Sequence, residues 1–250
     1  MIRTRNLVHV LALALASLLW AAPAPAALIV YTSDGAGADS YVQGHTSTTN
    51  FGNSATMLTQ FALTPSFSRK TYLRYDLGSV PAGELVHHMK VTISSITPGE
   101  DPLKQVYVYG LNDGHAGESW VEGDGGTDNS PLGEITWNNA PGNDTSSGSA
   151  VLSTETDLLY TVLFNSTETE LLVPGESLLS FIAADTDNLV TFIITYERLS
   201  GNGGGAIVFA SKEHATLEAP LLVFTPEPAS ATLLLTAALL LLPRRRSAPR

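Results

Sequence analysis

Arg69, Lys70 and Arg74 fall within six residues of one another in the stretch SRKTYLRYDL, Ser68 to Leu77. An arginine grips a carboxylate through two parallel hydrogen bonds, whereas a lysine supplies a point charge. Tyr72 stands between them and would add a flat apolar surface of the kind on which sugar rings stack. On a strand, Leu73, Tyr75 and Leu77 point to one side to pack, while Tyr72, Arg74 and Asp76 point to the other and are displayed. Lys212, in the closing segment of the domain, is a further basic candidate. Such a set suits the carboxylates or sulfates of a charged polymer. The competing reading is that these cations neutralise Asp76 and other acids nearby.

A second set is acidic. Asp124, Asp128, Asp144, Asp185 and Asp187 lie among Gly, Asn and Ser, where carboxylates and backbone carbonyls could wrap a structural calcium ion, although no spaced ligand pattern singles out one site. Solvated loop acids are the alternative. For catalysis the sequence offers little: no H-E-x-x-H, no G-x-S-x-G, and no serine with a recognisable base partner. No catalytic residue is assigned. A polysaccharide lyase, with Tyr72 as base and Arg74 neutralising a uronate, is the sharpest enzymatic alternative. His87 and His88 are adjacent, so regular strand geometry sends their rings to opposite sides, where they cannot share one metal.

The elements that must position these residues lie between two apolar ends. Residues 1–27 carry Arg3 and Arg5, an apolar run from Leu7 to Trp20, and a small-residue ending with Ala24 and Ala26, the pattern of a secretory signal. Residues 225–250 run from Pro226-Glu227-Pro228 through the apolar stretch Ala229 to Leu242 to Arg244, Arg245 and Arg246. That stretch falls short of the roughly 20 residues of a stable spanning helix, which suits a temporary stop in a membrane with its arginines held inside. Residues 28–224 keep 7 Lys and Arg against 23 Asp and Glu, a balance of −16. Such a field disfavours nucleic acid as a partner. The absence of cysteine removes disulfides, thiol nucleophiles and cysteine metal sites.

Within 28–224, short apolar or alternating runs separated by Gly, Pro, Asn, Asp and Ser predict strands at 28–31, 40–43, 56–60, 70–76, 90–96, 106–111, 170–173, 177–183, 190–196, 206–210 and 221–224, with no full-length helix. This succession predicts an all-β fold: one antiparallel β-sandwich, jelly-roll-like, flanked by the two hydrophobic targeting segments. Residues 113–150 read as loop except for Glu134 to Trp137. Trp120 and Trp137 either pin that excursion to the sandwich or stand out as platforms for a sugar.

Four blocks, ADSYVQGHTSTTNFGNSATMLT, SRKTYLRYDLGSVPAG, ESWVEGDGGTDNSPLGEITWNNAP and FASKEHATLEAPLLVF, occur in order over most of residues 38–224. They resemble DNRLRE-type domains, which are similar to carbohydrate-binding modules of family 96. That resemblance implies a β-sandwich that binds alginate-like acidic polysaccharide. Departures are the acidic insertion at Gly123 to Gly133, a stretched segment from Val151 to Asn188, and Lys212 where the pattern more often has arginine. The C-terminal tail resembles a PEP-CTERM sorting signal, which implies cleavage by an exosortase in an exopolysaccharide-producing Gram-negative bacterium. The expectation is therefore a non-catalytic module, secreted or held at the cell surface. Its partners are extracellular polysaccharide and, during export, signal peptidase and exosortase. A structural or adhesive matrix protein without glycan specificity is the alternative.

Overall fold

The computed structural model describes residues 26–97, 103–125, 133–199 and 205–226. Ala24, Glu227, Pro228 and Asp128 lie outside them, whereas Ala26 is exposed and Pro226 ends the last strand. Eleven strands are described: β1 (Leu28–Tyr31), β2 (Ala38–Gln43), β3 (Thr56–Thr59), β4 (Arg69–Asp76), β5 (Glu84–Ile96), β6 (Lys104–Leu111), β7 (Thr156–Phe164), β8 (Glu170–Pro174), β9 (Leu189–Arg198), β10 (Ile207–Ala210) and β11 (Leu221–Pro226). One α-helix, α1 (Gly175–Ala184), follows β8. Among the described residues no helix is long and apolar enough to cross a membrane.

The strands form an antiparallel sandwich, as the sequence predicts. One sheet runs β1-β11-β5-β10-β3, with β8 also paired to β5; the other runs β2-β4-β9-β6-β7. Alternation in the strands explains the packing. Leu73 and Tyr75 of β4, Phe192, Ile194 and Tyr196 of β9, and Val106 and Val108 of β6 point inward to meet Met89, Val91, Phe209, Leu222 and Phe224 of the facing sheet. Tyr75 and Phe192 meet edge to face, with ring centroids 5.9 Å apart.

Two local expectations are corrected. Residues 177–183 form the middle of α1, not a strand. Leu178, Phe181 and Ile182 follow helical spacing and pack on the core, and Glu176 in the first turn suits the positive end of the helix dipole. A β-carbon at Gly175 would lie 2.1 Å from the Val86 carbonyl oxygen, so only glycine admits the chain here. Strand β7 lies in a stretch without an expected strand, because its exposed Leu158, Thr161 and Leu163 break the simple inside-outside reading.

Candidate functional site

The outward side of β4 is not displayed. Lys70 and Tyr72 are wholly buried and Arg74 nearly so, because the excursion between β6 and β7 folds back as a roof over that side. Tyr72, Trp120, Ile135, Trp137, Ala140 and Ile193 form a second apolar cluster beneath it. The predicted display of Tyr72 and Arg74 is therefore corrected: alternation sets the side of the sheet, but a long loop decides whether that side meets water. Trp120 and Trp137 are 6% and 3% exposed and act as pins, not platforms.

Lys70, Tyr72 and Arg74 each have a hydrogen-bond partner in the roof. The Lys70 ammonium donates to Asn143 Oδ1 at 2.7 Å, to the Asp144 carbonyl at 3.0 Å and to the Ala150 carbonyl at 2.6 Å, and it lies 4.8 Å from the centre of the Trp137 ring. Three donors thus meet three acceptors under an aromatic face. Burial pulls the lysine pKa down to about 7, and the Asp144 charge works against that fall. The Tyr72 hydroxyl donates to the Pro141 carbonyl at 3.1 Å, and burial raises its pKa. Arg74 lies 4.9 Å from the Trp120 ring centre. Its Nε donates to the Ala36 carbonyl at 2.9 Å, and its Nη1 donates to the carbonyls of Glu118 and Trp120. A phenol held neutral and enclosed makes no proton-abstracting base, so the Tyr72–Arg74 lyase pairing has no geometric support.

Arg69 and Lys212 stand apart from that trio. Arg69 is half-buried at the start of β4, where its Nε donates to Gln43 Oε1 at 2.8 Å and alternation turns it toward the side of Leu73 and Tyr75. Lys212 sits among acids, with its Nζ 2.6 and 2.7 Å from the two Glu122 oxygens and 2.7 Å from Glu213 Oε1. Burial alone would lower its pKa, but the bonds to Glu122 and Glu213 and their charges outweigh that and raise it. Its backbone N–H donates to Asp39 Oδ2 at 3.0 Å. Asp39 is buried, and burial pushes its carboxyl up to about 7. The five expected ligand contacts thus divide into a covered trio, a separate arginine and an ion-paired lysine.

Asp39, Glu122 and Glu213 offer carboxylate oxygens within 4.8 Å of one another, a grouping that Lys212 already neutralises. Asp113, Asp185 and Asp187 form a second such group, so two of the predicted loop acids do converge. Asp113 accepts hydrogen bonds from the Thr186 backbone and hydroxyl, and Asp185 and Asp187 accept from the N–H groups of Asn188 and Leu189. Burial pushes the neighbouring Glu118 carboxyl up to about 7, with Asp187 adding to the rise. Asp185 is likewise pushed up to about 6 by burial, with Asp187 and Asp113 contributing. Asp144 bonds to Ser146 in its own turn, and Asp124 joins neither group.

The histidine pair is a further correction. Val223 pairs with His88 and Phe224 with Val86, so His87 is the extra residue of a β-bulge. The bulge abolishes the alternation at that point. It brings the two Nδ1 atoms to 2.7 Å, with ring centroids 5.0 Å apart.

Sequence reasoning passed over Tyr107 and Tyr109. They occupy alternate positions of β6 on the outward side of the five-stranded sheet, where Tyr109 packs against the apolar cluster beneath the roof and Tyr107 stands beside it. Their rings are 25° from parallel, with centroids 6.2 Å apart. The run VYVYG carries the signal, since its valines pack inward and its tyrosines face out.

A family model for carbohydrate-binding module family 96 matches residues 30–226. The chain belongs to that family. The match spans the whole sandwich from β1 to β11, so the family-96 module includes the core, the roof and the Lys212 cluster alike. It supports carbohydrate binding as the general function. No curated protein matches the sequence. Among solved structures, a CocE/NonD family hydrolase from Staphylococcus aureus aligns with a TM-score of 0.28 and 10% identity, over 80% of this chain and 37% of the hydrolase chain. At that similarity it carries no argument about the activity of the family-96 module.

Proposed function

We propose that this chain is an exported, non-catalytic module that binds extracellular polysaccharide. The observation that carries the reading is the family-96 match across residues 30–226. Its support is chemical as well: the Tyr72–Arg74 pairing suspected of lyase chemistry is enclosed. Specificity for acidic polysaccharide, expected from the cation cluster, has little support from that cluster, since Lys70, Arg74 and Lys212 have internal partners and the half-buried Arg69 bonds Gln43.

Export rests on the two ends of the sequence. The last strand reaches Pro226, which pairs with Glu84, so an exosortase cut just beyond would release the complete sandwich from its membrane stop. Intact Arg244 to Arg250 in the mass of protein recovered from its native cell surface would contradict that processing. Among the described residues a structural calcium has one candidate place not already filled by a lysine, Asp113 with Asp185 and Asp187; a melting temperature unchanged by calcium and by chelator would remove it.

Binding is tested by migration of the purified protein through native gels containing neutral or acidic polysaccharides. Retardation in at least one is expected. The adhesive-matrix alternative predicts unretarded migration in all of them, together with weakened biofilm cohesion when the protein is absent.

A further inference from the structure

His87 and His88 belong to neither apolar cluster, and the chain presents them as regular strand neighbours cannot be presented. The bulge of β5 inserts His87 opposite β11, between the pairs Val86–Phe224 and His88–Val223. Both imidazoles then share a side, with Nδ1 atoms 2.7 Å apart and ring planes 74° from parallel. Two neighbours brace this geometry. His88 pairs with Pro174 of β8, and Gly175 packs so closely that a β-carbon there would lie 2.1 Å from the Val86 carbonyl oxygen and 2.7 Å from that of His87. His87 is exposed and His88 half-buried, so solvent reaches the pair. Burial, then His87 and Lys90, lower the His88 pKa, which leaves that ring uncharged at neutral pH. The Lys90 charge is met by Glu218 at 2.5 Å.

We propose that His87 and His88 form a two-nitrogen site for a divalent late first-row transition-metal ion, with copper(II) held more tightly than zinc(II). Two nitrogens bound to one ion at about 2.0–2.1 Å, at square or tetrahedral angles, lie roughly 2.9–3.3 Å apart. The Nδ1 pair at 2.7 Å is already close to that bite. Two neutral rings at this distance share one hydrogen, with one Nδ1–H donating to the other Nδ1. Metal binding moves that hydrogen to Nε2 of its own ring, a change of tautomer that leaves both rings neutral and frees both Nδ1 lone pairs. Imidazole suits copper, nickel and zinc, and the order of intrinsic affinity puts copper(II) first. Among the described residues no third histidine or carboxylate converges on the pair, so the remaining positions of the ion fall to water. Its nitrogen donors separate this site from the all-oxygen place at Asp113, Asp185 and Asp187, which suits a hard cation. It does not depend on the glycan-binding reading.

The test titrates copper(II) and zinc(II) into the untagged full chain by calorimetry, with the nitrogen ligands of bound copper counted by electron paramagnetic resonance. Copper should bind through two imidazole nitrogens, and zinc should bind more weakly and be displaced by copper. His87→Ala and His88→Ala should each weaken copper binding about tenfold or more and abolish the two-nitrogen signal. His45→Ala removes an exposed histidine elsewhere on the surface and should bind copper as the parent does. Because His87 is exposed, His87→Ala keeps the fold and carries the test if His88→Ala melts early. Parent-like affinity with an unchanged two-nitrogen signal in His87→Ala would overturn the site. So would a parent chain that binds no copper, in which case the two rings serve only each other.

Discussion

Lys70 carries a charge to a place without water, and the roof supplies what water would have: three acceptors and an aromatic face. Removing the ammonium leaves those acceptors unpaired, so Lys70→Met should cost about 3 kcal/mol in urea unfolding. Once corrected for the folded fraction, glycan retention should not change, which separates a staple from a ligand contact. Two buried carboxyls set a pH dependence. Glu118 and Asp39 are raised from their ordinary 4.5 and 3.8 to about 7, in each case chiefly by burial. A carboxyl with a raised folded pKa holds its proton more tightly in the fold; its stabilisation is complete below the unfolded value and is lost as pH rises through the folded one. The melting temperature should therefore fall between about pH 4 and pH 7 from these groups, and Glu118→Gln should flatten the fall. An identical slope in the variant would contradict the assignment. Lys70, with its pKa lowered, acts in the opposite sense above about pH 7 and does not mask that window.

At the scale of elements, the roof is what turned a predicted contact face into a core. Strand β4 was legible from alternation within one residue of its start, and the family blocks were legible as sequence. Their convergence was not: Asp39, Glu122 and Lys212 with Glu213 come from three different blocks and meet at one lysine, Asp39 on its backbone N–H and the two glutamates on its ammonium. In the ITWNNAP segment, Asn139 holds the turn through Thr136 and Glu134, and Asn143 just beyond bonds the Trp137 carbonyl. Thr136, Trp137 and Asn143 are buried and build the domain, and the exposed Asn139 serves the same turn through its side-chain bonds. Trp137→Ala should accordingly destabilise the protein by roughly 3–5 kcal/mol, read by urea unfolding. A loss below about 1 kcal/mol would mean that the roof is not part of the cooperative core. The helix α1 and the bulge at His87 share one reason for escaping prediction. Each depends on a partner distant in sequence, α1 on β5 and the bulge of β5 on β11.

For the whole molecule, the sandwich was readable because many short strands and no cysteine left few alternatives, whereas the ligand face was not. Cations drew attention in an acidic chain, yet acidity is also why they were needed inside, beside Asp144, Glu122 and Glu213. The tyrosines of β6 belong to none of the four blocks, and only the fold shows Tyr109 packed on the roof's cluster with Tyr107 stacked beside it. The central claim is that this family-96 module binds polysaccharide. Migration of the purified protein through native gels containing a panel of neutral and acidic polysaccharides tests it most directly. The account predicts retardation by at least one member of the panel, reversed by free oligosaccharide of the same composition. Free migration through every gel by a protein with a normal melting transition would contradict it.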